Sequence, residues 1–121
     1  MRKKILLVDD DEAVLDYMQA KLGPHYDLVT TNAPDNVQAL ARKEKPDLIV
    51  CDVDMPEMDG GDVSAALYAS DETRDIPVLF LTGLASPQDL KHARDQIGGR
   101  PAISKNAPAN ELLARIASFL N

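Results

Sequence analysis

The chain has 121 residues, 45% of them hydrophobic: one domain, long enough to bury a core and too apolar for a disordered acidic tail. Its net charge of −7 opposes nucleic-acid binding, which wants a basic footprint, and fits a pocket that takes a divalent cation. The lone Cys51 excludes an internal disulfide, and no apolar stretch is long enough for a membrane span or a signal-peptide core, so the expectation is a soluble cytoplasmic protein.

The predicted elements alternate between short apolar runs and amphipathic stretches, the βαβ pattern of a parallel sheet. Ile5–Val8 is the first strand. A helix follows with Val14, Leu15, Met18 and Leu22 on one face, stopped by Gly23-Pro24. Asp27–Thr30 is a weaker, polar-flanked strand, and a second helix runs from Pro34 to about Lys45, burying Val37, Leu40 and Ala41 before Pro46. The third strand is Leu48–Cys51, and Gly60-Gly61 precedes a short helix with Val63, Ala66 and Leu67 inward. Val78–Leu81, after Pro77, is the fourth strand. A helix from near Pro87 carries Leu90, Ala93 and Ile97 on one face and is closed by Gly98-Gly99. Ala102–Ser104 is a short fifth strand, and a terminal helix from near Pro108 presents Leu112, Leu113, Ile116, Phe119 and Leu120. The tally is five strands and five helices. Placing the two weakest strands, the second and fifth, at the edges gives the order 2-1-3-4-5, a flavodoxin-like doubly wound α/β sheet.

Four polar positions stand directly after, or at the end of, these runs: Asp9-Asp10, Asp52, Thr82 and Lys105. Strands buried on both faces of a parallel sheet share one carboxyl edge, where open α/β sheets place their ligands. Three carboxylates, a hydroxyl and an ammonium therefore converge from far apart in sequence. Crowded carboxylates need a cation, and a lysine beside them suits a phosphoryl group, so the pattern reads as a site for Mg²⁺-assisted phosphoryl chemistry. Taken singly, each residue has a blander reading: a capping Asp, a turn Asp, a β-forming Thr, a solvated Lys. For Asp11 the cap of the first helix is the preferred role. Cys51 reads as a small core hydrophobe and not as a reactive thiol, and His25 and His92 as surface residues.

Ile5-Leu-Leu-Val-Asp-Asp-Asp-Glu12, Asp52-Val-Asp-Met-Pro-Glu-Met-Asp-Gly60, Leu81-Thr82-Gly83 and Ser104-Lys105 together resemble the receiver domain of two-component response regulators. The resemblance covers nearly the whole chain, 1–121, in the right order, with no output domain expected in it. It implies that Asp52 is the phosphoacceptor, a carboxylate nucleophile that forms an aspartyl phosphate. It implies that Mg²⁺, with Mn²⁺ as a substitute, is held by Asp10 and Asp52 directly, by Asp9 through water and by the backbone carbonyl of Asp54. Thr82 would donate to a phosphoryl oxygen, Gly83 would leave the site open, and Lys105 would pair with Asp52 and then with the phosphoryl group. The implied partners are a histidine kinase or histidine phosphotransfer protein and an unidentified downstream protein, with no membrane or nucleic acid engaged through this chain.

Two positions depart from the family pattern. Receivers usually carry Tyr or Phe three positions before the lysine, where this chain has Ala102, and Pro directly after it, where this chain has Asn106. Neither is needed for phosphoryl chemistry, but both bear on readout. Two other readings stand beside the receiver: a phosphorylation-independent interaction module of the same fold, and a haloacid-dehalogenase-like phosphatase using Asp52-Val-Asp54. The second is disfavoured because its motif belongs on the first strand. Self-catalysed phosphorylation and dephosphorylation, not enzymatic turnover, is the expectation.

Overall fold

The computed structural model of the chain describes residues 2–53, 60–83, 87–92, 96–97 and 100–120. Strands with apolar residues on both faces must be covered on both, and the apolar runs form such a sheet. It comprises β1 (Lys4–Val8), β2 (Asp27–Thr31), β3 (Leu48–Asp52), β4 (Val78–Thr82), β5 (Gln96–Ile97) and β6 (Arg100–Ser104), in the order β2-β1-β3-β4-β6-β5. Five of these, β2-β1-β3-β4-β6, are parallel, in the doubly wound order expected. The five helices are α1 (Glu12–Leu22), α2 (Val37–Glu44), α3 (Gly60–Tyr68), α4 (Pro87–His92) and α5 (Ala109–Leu120), with a 3₁₀ turn at Pro34–Asn36 before α2.

Alternate residues of each strand feed two cores. Leu6, Val8, Ile49, Cys51, Phe80 and Ala102 pack on one face with Val37 and Ala41 of α2, Val63 and Leu67 of α3 and Leu90 of α4. Ile5, Leu7, Leu48, Val50, Leu79, Leu81 and Ile103 pack on the other with Leu15, Met18 and Leu22 of α1 and Leu112 and Ile116 of α5. This double covering is why β3 and β4 are buried along their full length, whereas the edge strand β2 is only partly so.

Sequence and structure part after α4. Ile97 was expected on a helix with Leu90, but it lies in β5, which pairs antiparallel with β6, Gln96 opposite Pro101 and Ile97 opposite Arg100. The residues between the two arms in the sequence are Gly98-Gly99, a pair that two-residue hairpin connections favour as much as helix ends do. The last parallel strand is thus flanked by a two-residue strand and is not the sheet edge. Gly60 and Gly61 open α3 and do not precede it. The expected parts of Asp54, Met55, Pro56, Asp59, Ala93, Gly98 and Gly99 fall outside the described residues.

Candidate functional site

Register alone assembles the site. In the β1–β3 pair Val8 lies opposite Cys51, so the next residue, Asp9, stands beside Asp52 at the end of β3. Asp52 lies opposite Leu81, which puts Thr82 next along the edge. Thr82 lies opposite Ser104, and the Lys105 N–H extends that ladder by donating to the Thr82 carbonyl at 2.8 Å. The expected residues Asp9, Asp52, Thr82 and Lys105 thus share one end of the sheet.

Asp9 and Asp52 are each 1% exposed, and the Lys105 side chain 20%. The Lys105 ammonium bridges the two acids, with Nζ 2.9 Å from Asp9 Oδ2 and 3.3 Å from Asp52 Oδ2. Burial disfavours this ammonium, but contact with Asp9 and the charges of Asp9 and Asp52 outweigh it, holding the Lys105 pKa above its ordinary value.

The β1–α1 turn fixes Asp9 from its other side. Its Oδ1 accepts the N–H of Asp11 at 2.9 Å, while the Asp11 carboxylate caps α1 by accepting from Ala13 N–H, as anticipated. Asp10, between them, is exposed. One carboxylate oxygen from each of Asp9, Asp10 and Asp52 lies within 4.8 Å of the others. Asp9 Oδ2 is fully buried and lacks a directed hydrogen bond despite its ion pair, so it keeps accepting capacity. Three hard oxygen donors, one of them under-used, fit a divalent cation of the Mg²⁺ or Ca²⁺ type.

The rest of the edge is small or closed. Thr82 is buried and Gly83 exposed, and a Cβ added at Gly83 would meet Lys105 Cδ at 3.7 Å, an ordinary contact. Cys51 is buried; that burial, followed by the charges of Asp52 and Asp9, pushes its thiol up to about 12, which makes it a core residue and not a nucleophile. Ala102 is fully buried on the face of Phe80 and Leu90. His25 is exposed.

Two features escaped the sequence reading. The Ser104 Oγ accepts the Asn106 N–H at 3.1 Å, a local turn of the kind serine hydroxyls make. A cleft of about 240 Å³ opens between α1 and α5, walled by Val14, Tyr17, Met18, Leu81, Ala107 and Leu112, with Lys105 at its margin. Its walls come from both ends of the chain, so no local pattern announces it.

These observations agree with what comparison finds. Residues 5–117 match the family model of the response regulator receiver domain. The chain is 38% identical over 120 residues to the DNA-binding dual master transcriptional regulator RpaA of Synechocystis, covering 97% of this chain and 48% of that protein. It is 31% identical to the polar-differentiation response regulator DivK of Brucella anthropi, over 99% of this chain and 98% of that one. Among solved structures it resembles the chemotaxis response regulator CheY4 of Vibrio cholerae, with TM-score 0.81, 25% identity, and 98% and 99% of the two chains covered. A response regulator of Desulfuromonas acetoxidans superposes with TM-score 0.80 at 28% identity, covering 98% and 96%. The chain spans about half the length of RpaA and of PhoP of Bacillus subtilis, and about a quarter of PleD of Caulobacter vibrioides. No helix among the described residues is long and apolar enough to cross a membrane. With the family model matched over almost its full length, the chain belongs to the receiver domains of two-component response regulators.

Proposed function

We propose that this receiver accepts a phosphoryl group on Asp52 from a histidine kinase or histidine phosphotransfer protein and signals its presence to a downstream protein in the cytoplasm. The observation that carries the reading is Lys105, whose ammonium lies within ion-pair distance of both buried carboxylates at the sheet edge. Asp10 and Asp52 directly, Asp9 through water and the Asp54 backbone carbonyl would hold Mg²⁺, or Mn²⁺ in its place. When bound, that ion offsets the charge shared by an anionic nucleophile and an anionic donor.

The chain's own residues do the rest. An Asp52 carboxylate oxygen forms the bond to phosphorus as the phosphorus–nitrogen bond of a phosphohistidine breaks, the leaving imidazole taking a proton. Lys105, released from Asp52, pairs with the phosphoryl oxygens, and the Thr82 hydroxyl donates to one of them. Exposed Gly83 leaves the group open to water, whose attack on phosphorus returns the Asp52 carboxylate. Turnover of a small substrate is no part of this chemistry, and neither nucleic acid nor membrane is engaged through this chain.

Incubation with acetyl phosphate, with and without Mg²⁺, followed by intact-mass measurement tests the proposal beside an Asp52→Asn control. One phosphoryl group gained only with Mg²⁺ and only with Asp52 supports it. No gain favours the second reading, a phosphorylation-independent interaction module, to which Ala102 and Asn106 point.

A further inference from the structure

We infer that Ser104 is a positioning residue for Lys105, its hydroxyl oxygen holding the turn that aims the ammonium at the two buried acids; this rests on the phosphoacceptor reading above. A lysine side chain has four rotatable bonds, so its ammonium is aimed only as well as the backbone beneath it is held. Here the peptide groups on both sides of Lys105 are tied down. Its own N–H donates to the Thr82 carbonyl at 2.8 Å, and the next N–H, that of Asn106, donates to Ser104 Oγ at 3.1 Å. The Ala107 N–H closes the turn on the Ser104 carbonyl at 3.0 Å. Ser104 itself is 3% exposed and lies opposite Thr82 in the sheet, so its hydroxyl is carried on a buried, paired strand end.

Residue 106 explains why this chain needs the bond. A proline there fixes its own φ and has no N–H to satisfy. Asparagine leaves φ free and supplies a donor, and the Ser104 acceptor restores the stiffness. Asn106 is exposed and the bond it makes is only part-buried, so losing the acceptor costs the domain little. The loss therefore falls on the placement of Lys105 more than on the stability of the domain.

The test compares the natural chain with S104A and S104T. Labelling by acetyl phosphate in Mg²⁺ should slow about fivefold in S104A, the scale of one neutral hydrogen bond. It should recover in S104T, which keeps the oxygen. Amide hydrogen exchange at Asn106, measured without any donor, should quicken in S104A and not in S104T. A labelled natural chain with an equally fast S104A overturns the inference alone, as does an S104A that is slow while Asn106 exchange is unchanged. A natural chain that takes no phosphoryl group at all removes the phosphoacceptor reading and this inference with it.

Discussion

Replacing Lys105 by methionine keeps an unbranched stem against the α1–α5 cleft and removes the charge that bridges Asp9 and Asp52. At an effective dielectric of about 20, unit charges at the observed 2.9 and 3.3 Å attract by about 6 and about 5 kcal/mol. Those are gross figures, offset by desolvation of the ammonium and by the rotamer freedom it gives up. Stripping one partner from a buried ion pair typically costs 3–5 kcal/mol, and with the lysine 20% exposed the lower end, about 3 kcal/mol, applies. What remains is two carboxylates, each 1% exposed, with no ammonium between them.

Thermal unfolding in a chelator at neutral pH should therefore show Lys105→Met melting about 12 °C below the natural chain, at roughly 4 °C per kcal/mol for a domain of this size. Adding Mg²⁺ should then stabilise the variant more than it stabilises the natural chain, because the cation takes over the neutralising role. A variant that melts with the natural chain in chelator, or that gains no more from Mg²⁺, would show that the ammonium is not what holds the acids together.

Three further outcomes follow from the same geometry. The Lys105 pKa is raised above its ordinary 10.5 in the fold, so its stabilising contribution is complete below that pH and drains away as pH rises past it; the urea midpoint of the natural chain should fall toward that of Lys105→Met above pH 10.5, and parallel curves would refute the assignment. Ala102→Tyr, which restores the ring usual in receivers, must enter a fully buried position against Phe80 and Leu90 and should cost about 1–3 kcal/mol by denaturant unfolding; an unchanged midpoint would mean that the ring finds room outside the core. Cys51, with its thiol pushed up to about 12, should resist a thiol reagent in the folded chain and react only as fast as the chain unfolds, whereas prompt labelling at neutral pH would contradict its burial.

How much of this was legible in the residues divides along physical lines. Ile5–Val8, Leu48–Cys51 and Val78–Leu81 could be assigned from sequence because a strand covered on both faces leaves an uninterrupted apolar run. Their order was read by placing the two weakest strands, Asp27–Thr30 and Ala102–Ser104, at the edges; the first is an edge, and the second holds its place in the parallel order but is flanked by β5. With strands and order fixed, register obliges Asp9, Asp52, Thr82 and Lys105 to meet. Ile97 was misread because an apolar residue before a Gly-Gly pair satisfies a helix end and a hairpin equally. Only the antiparallel pairing of Ile97 with Arg100 decides between them. The Ser104–Asn106 bond was hidden for another reason: a serine at a strand end looks the same whether or not its oxygen is used.

The charges of the site constrain its chemistry. Three carboxylates and one ammonium leave it at −2, which a single divalent cation neutralises. A dianionic donor approaching the bare cluster meets two buried acids already short of counter-charge. The proposed reaction is therefore expected to depend on the bound cation, and its rate should fall when Mg²⁺ is withheld at fixed donor. An acyl phosphate on Asp52 carries more negative charge than the carboxylate it replaces, so the demand on Lys105 grows once phosphate arrives. Among the described site residues Lys105 is the one cation that can meet that demand. Whatever holds its backbone in place thus governs both how fast the group is accepted and how long it stays.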